Sequence, residues 1–137
     1  MTAPTTVEVG AAVPPLERII DLASMVAYAG ATWDWNRLHY DAAFLAERGL
    51  DRPVVDGQML GALLAEQAMD WLGGGAFPTR MSFRFRSMVF ADDTVRVEGV
   101  VAGVDEDADT VTLDQQVLVG DTIAATGTTV IRRSPQP

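Results

Sequence analysis

The stretch Trp33-Asp34-Trp35-Asn36-Arg37-Leu38-His39 brings a carboxylate, an amide and the chain's only imidazole into close sequence proximity. Carboxylates and imidazoles are the side chains most often used to move protons near neutral pH. Asp34 and His39 could therefore hold one water between them, one as base and the other as acid. A second stretch, Pro53-Val54-Val55-Asp56-Gly57-Gln58, passes from apolar residues through Asp-Gly into a long apolar segment. Unpaired backbone N–H groups should point out of such a helix start, where they favour an anion. A lone histidine beside aromatic residues is more often packed or surface-exposed than catalytic, so spacing alone leaves both readings open.

The residue inventory removes several alternatives. None of the 137 residues is cysteine, and all ten basic side chains are arginine. Thiolate nucleophiles, disulfides and a lysine Schiff base are thereby excluded. One histidine without a local cluster of carboxylates falls short of a catalytic zinc set, so neither metal nor cofactor is expected. A net charge of −9 disfavours nucleic acid, since phosphate contacts by Lys and Arg supply most nonspecific binding. No uncharged apolar run approaches the roughly 20 residues that span a bilayer. The sequence thus predicts a soluble cytoplasmic protein without a membrane partner. Its length predicts one core and one domain, over 16–133, with a disordered lead-in at 1–15 and a short tail at 134–137.

The elements that must position these groups are predicted as follows. Leu16 to Leu22 reads as a first strand, from alternation of Leu16, Ile20 and Leu22 against polar neighbours. Ser24 can cap a short helix over Met25 to Ala29, which Gly30 can end in a left-handed turn. The Asp34–His39 loop follows, then a helix over Ala42 to Arg48 with Asp41 as its cap and Gly49 as its stop. A long helix should run from Gly57 to about Leu72, where Gly73-Gly74-Gly75 ends it; it is apolar on nearly every face and should be buried. After Pro78 the texture changes to strands over Thr79–Phe90, Thr94–Val104, Thr110–Val119 and Thr122–Ile131. The run Thr126 to Ile131 suits an interior strand or an interface strand.

Asp34-x-Asn36-x-Leu38-His39, preceded by Tyr28-Ala29-Gly30 and followed by Pro53-Val54-Val55-x-Gly57, resembles the signature of the MaoC-like, or (R)-specific, enoyl-thioester hydratases. The likeness runs from about Leu16 to Ile131. It implies an α+β hotdog fold, an antiparallel sheet wrapped around a long central helix, as does the element order above. It also implies hydration of trans-2-enoyl thioesters, or dehydration of (R)-3-hydroxyacyl thioesters, carried by coenzyme A or a carrier protein. Asp34 and His39 would be the acid–base pair, the Gly57 N–H the oxyanion donor, Asn36 a brace for the loop and Tyr28 a supporting residue. A homodimer, or a heterodimer with another hotdog chain, is implied too. A subunit of a heteromeric dehydratase and a hotdog thioesterase are the competing readings. Three positions depart from the usual pattern: Arg37 replaces a proline, Trp33 a glycine and Asp56 a histidine. Trp33, Trp35 and Arg37 are candidate substrate contacts in or beside the acyl pocket. Arg84 and Arg86, with Arg80 on the same strand face, are candidate phosphate contacts.

Overall fold

The computed structural model describes Pro4 and residues 6–133. The outermost parts of the expected lead-in, residues 1–3 and 5, and the expected tail at 134–137 lie outside the described residues. Element order is β1 (Ala12–Ile19), α1 (Leu22–Thr32), a 3-10 turn (Arg37–His39), α2 (Ala42–Ala46), α3 (Gly57–Leu72), β2 (Phe77–Phe85), β3 (Thr94–Asp105), β4 (Thr110–Val119) and β5 (Thr122–Arg132). The strands form one antiparallel sheet in the order β1-β3-β4-β5-β2, and α3 packs against all five. This is the expected α+β hotdog architecture. Among the described residues no helix is long and apolar enough to cross a membrane.

Helix α3 has the expected bounds because both ends are chemically marked. Asp56 accepts the Gln58 N–H at 2.9 Å, and Gly73 takes a φ of 60° just past the last turn. The expectation of burial on nearly every face is corrected. Leu60, Leu63, Leu64, Ala68, Trp71 and Leu72 are buried, whereas Ala62 and Met69 face outward, since a single sheet covers only one side of a helix.

Other boundaries differ too, and α2 stops at Ala46 rather than Arg48. Strand β1 starts at Ala12, within the supposed lead-in, because Pro14 and Pro15 fall at a register shift in an edge strand, where lost N–H donors cost little. Helix α1 begins one turn early, since Asp21 rather than Ser24 is the cap and accepts the Ser24 N–H at 2.8 Å. It runs through Gly30 and stops only at Trp33, which takes the left-handed φ of 57°. Strand β2 ends at Phe85, where the apolar parity switches; beyond it Phe90 forms an isolated bridge with Val54. The β-branched run after Thr126 lies in β5, inside the sheet between β4 and β2.

The helix approaches the sheet closely along one row. Gly99, Gln115 and Gly127 are cross-strand neighbours on β3, β4 and β5. A Cβ on Gly127 would lie 2.6 Å from Leu64 Cδ1, and one on Gly99 would lie 3.1 Å from Gln67 Oε1. Between the two glycines, Gln115 donates to the Leu64 carbonyl and to Gln67 Oε1, both at 2.9 Å, and accepts from the Thr129 hydroxyl at 2.6 Å. Gln67 in turn donates to the Pro14 and Val97 carbonyls at 3.0 Å. All three side chains are buried and fully paired, as buried amides must be to avoid a desolvation cost. The seam separates an apolar cluster around Leu60, Leu64, Val97 and Val117 from a second around Ala68, Val101, Leu113 and Ile131.

Candidate active site

Local hydrogen bonds build the loop that carries Asp34 and His39. The Asp34 N–H donates to the Ala29 carbonyl at 3.1 Å, which folds the chain back over the end of α1. Asp34 Oδ1 accepts the Asn36 N–H at 3.2 Å, and Asn36 Oδ1 accepts the Leu38 N–H at 3.1 Å. Asn36 is thus the cap of the 3-10 turn that ends at His39. A carbonyl can only accept, so the 2.6 Å contact between His39 Nδ1 and the Val54 carbonyl fixes the proton on Nδ1. Nε2 is left free of this bond. The Val54 N–H returns a bond to the Leu38 carbonyl at 2.9 Å, tying the loop to the segment that leads into α3.

These constraints bring Asp34 and His39 together, and Asp56 joins them. One donor atom from each of the three lies within 4.8 Å of the others. The expectation of a histidine without nearby carboxylates is therefore corrected: Asp56 is distant in sequence, but the helix start returns it to the loop. One imidazole and two carboxylates are also the side chains here that could hold a divalent ion. Gly57 follows Asp56 as the first residue of α3, and its N–H has no helical acceptor.

Tyr28, on the last turns of α1, faces the same group. Burial, and then the charges of Asp56 and Asp34, raise its pKa above the ordinary phenol value, so the hydroxyl keeps its proton and remains a donor. Trp35 packs on Gly30 and meets Tyr40 edge to face at 6.1 Å, while the Tyr40 hydroxyl donates to the Trp35 carbonyl at 2.9 Å. Trp33 meets Trp35 edge to face at 5.9 Å and is 80% exposed. The two indoles flank Asp34 in sequence but lie toward solvent.

The expected arginine contacts are not assembled with this group. Arg37 donates to Asp41 at 2.8 Å and stacks on the Phe44 ring at 4.6 Å, so its guanidinium is engaged locally. Strand alternation turns Phe85 toward α3 and Arg84 to the far side of the sheet. There Arg84 lines a concavity of about 720 Å³ with Ser82, Glu98, Asp114, Gln116 and Thr128. Within one chain Arg84 therefore does not reach a ligand held at Gly57. Arg80 and Arg86 are exposed, and neither they nor Arg84 form an ion pair among the described residues.

The contact of Phe85 with Gly57 was not anticipated. A Cβ on Gly57 would collide with the tip of the Phe85 ring, and one on Gly61 would collide with Phe83. The signal is two glycines one helical turn apart facing two phenylalanines spaced two apart on a strand.

The family model described as a MaoC like domain matches residues 5–119. The chain is similar to the (R)-specific enoyl-CoA hydratase of Aeromonas caviae, at 32% identity over 119 residues, covering 85% of this chain and 89% of the relative. A solved structure of the (R)-hydratase from A. caviae involved in PHA biosynthesis matches with a TM-score of 0.87 and 31% identity, covering 96% of this chain and 100% of that one. The ChsH1-ChsH2 complex from Mycobacterium tuberculosis shares the fold, with a TM-score of 0.85 at 24% identity, covering 94% of this chain and 100% of the matched one.

Proposed function

This chain belongs to the MaoC-like dehydratase family, and from that premise we propose that it hydrates trans-2-enoyl thioesters or dehydrates (R)-3-hydroxyacyl thioesters. The observation that carries the reading is the convergence of Asp34 and His39, within 4.8 Å including Asp56, beside the first residue of a long helix. In the hydration direction a water sits between the two side chains. Its oxygen bonds to C3 of the enoyl group as one side chain takes its proton, and the other delivers a proton to C2. His39 acts through Nε2, because Nδ1 is bound to the Val54 carbonyl. Each such group contributes about 10²–10⁴-fold.

Between these events negative charge passes to the thioester oxygen. The Gly57 N–H, with about half a positive charge from the macrodipole of α3, receives it. Asp56 opposes that anion by its charge, while one of its oxygens is held by the Gln58 N–H. Tyr28, whose pKa burial and then the charges of Asp56 and Asp34 raise, brings a protonated hydroxyl to the same side of the group. The reaction is redox-neutral and calls for no cofactor.

The phosphate end of coenzyme A or of a carrier protein's pantetheine arm lies outside the Asp34–His39 group. A second hotdog chain, identical or different, adds its sheet along β2, an edge strand on which Phe77 is 48% exposed.

The test mixes the purified protein with crotonyl-CoA and follows the conjugated thioester absorbance alongside free thiol. Loss of absorbance without thiol is expected. Thiol release would replace the reading with a thioesterase, and inertness of the chain alone that ends when a second hotdog chain is added would make it a subunit of a heteromeric enzyme.

A further inference from the structure

Phe85 is the last residue of β2 and stands at an open edge of the sheet. Its ring tip rests on the Cα of Gly57: a Cβ built there would come within 2.7 and 2.8 Å of Cε1 and Cε2. Phe83 makes the same approach to Gly61, and the two rings meet edge to face at 5.6 Å. The two phenylalanines nevertheless differ. Phe83 is largely shielded and packs with the core, whereas Phe85 is 53% exposed. Phe83 thus completes the interior, while Phe85, at the end of β2, keeps an apolar face uncovered by its own chain immediately beside the helix start.

A thioester whose oxygen is held by the Gly57 N–H places its C2 one bond beyond the carbonyl carbon. The Phe85 ring, seated on the Cα of the same Gly57, is then within reach of a substituent on C2. We propose that Phe85 is a specificity-determining wall that admits thioesters unbranched at C2 and excludes those carrying a methyl group there. The inference rests on the placement of the thioester oxygen at Gly57 given above. A methyl group refused by a well-packed apolar wall is worth at least about 10-fold in selectivity.

The test compares butyryl-CoA with 2-methylbutyryl-CoA binding by calorimetry, and crotonyl-CoA with 2-methylcrotonyl-CoA turnover, in the wild type, Phe85→Leu and Phe85→Ala. Thermal unfolding verifies that each variant is folded; should Phe85→Ala not fold, Phe85→Leu decides. The wild type is expected to prefer the unbranched member of each pair. Phe85→Ala should reduce that preference about 10-fold or more, with Phe85→Leu in between. A preference unchanged within about twofold in the folded variants, or a wild type that favours the branched ligand, overturns the proposal. Should the wild type turn over neither enoyl thioester while the binding preference still shifts, the hydratase reading falls and the wall stands. Failure to bind either saturated thioester overturns the wall as well.

Discussion

Trp33 and Asp92 share an unusual backbone state, with φ of 57° and 70°, each directly before an aspartate. A side chain there costs of order 1 kcal/mol relative to glycine. At Asp92 the strain serves a tight turn: the following Asp93 accepts the Phe90 N–H at 2.9 Å. Asp92→Gly is expected to stabilise the protein by up to about 1 kcal/mol in thermal unfolding; a lower melting temperature would contradict this account. Trp33 instead sets the direction of Asp34. Asp34→Asn and His39→Ala should each lower the hydration rate about 10²–10⁴-fold with little change in melting temperature. Turnover surviving in both would remove the acid–base pair. Asp41 carries a pH signature of its own. The Phe44 N–H, and then the Arg37 guanidinium, hold its carboxyl below the ordinary value of 3.8. The depressed folded pKa means that its stabilisation is present above pH 3.8 and lost as pH falls through the lower folded value. The protection of the Phe44 amide, relative to its unfolded exchange rate, should therefore fall as pH drops below 3.8 in the wild type, and Asp41→Asn should remove that fall.

The Gln67–Gln115–Thr129 seam holds α3 in register with the sheet. Gln115→Leu keeps the bulk but leaves Gln67 Oε1 without its donor and the Thr129 hydroxyl without its acceptor. A loss of about 2–4 kcal/mol in denaturant unfolding is expected, most of it from the orphaned groups. A double-mutant cycle with Thr129→Val should show coupling, whereas additive effects would dissolve the seam into independent contacts. The elements themselves differ in how plainly the sequence announces them. Asp56-Gly57 and Gly73-Gly74-Gly75 bracket α3 with residues whose backbone chemistry admits little else, and the turns at Asp105 to Asp109 and Gly120-Asp121 separate β3, β4 and β5 equally well. Pro14-Pro15 reads as a break in β1, because only the finished sheet makes that strand an edge. Gly30 reads as a stop, because nothing local says that the chain needs another turn to deliver Asp34. Asp34 and His39 are legible because a short capped turn relates them, whereas Asp56 beside His39 and Phe85 on Gly57 are long-range meetings that local pattern does not encode.

At the scale of the whole molecule, β2 is an open edge of the sheet, and the proposed association would use it. Sedimentation should give twice the 14.7 kDa of one chain, and Phe77→Asp should shift the mass toward a single chain by placing charge on the exposed edge. A monomeric wild type would move the proposed contact elsewhere or make the second chain a different protein. The buried amide seam also bears on which molecules this fold can accommodate. An oily tail following the helix inward from Gly57 would travel about 15 Å before reaching Gln67. There it would encounter carboxamides already satisfied by one another, a barrier that hydrocarbon can neither wet nor displace cheaply. The seam thus divides the space along α3 into two apolar compartments, and hydrocarbon could join them only by leaving buried amides unpaired.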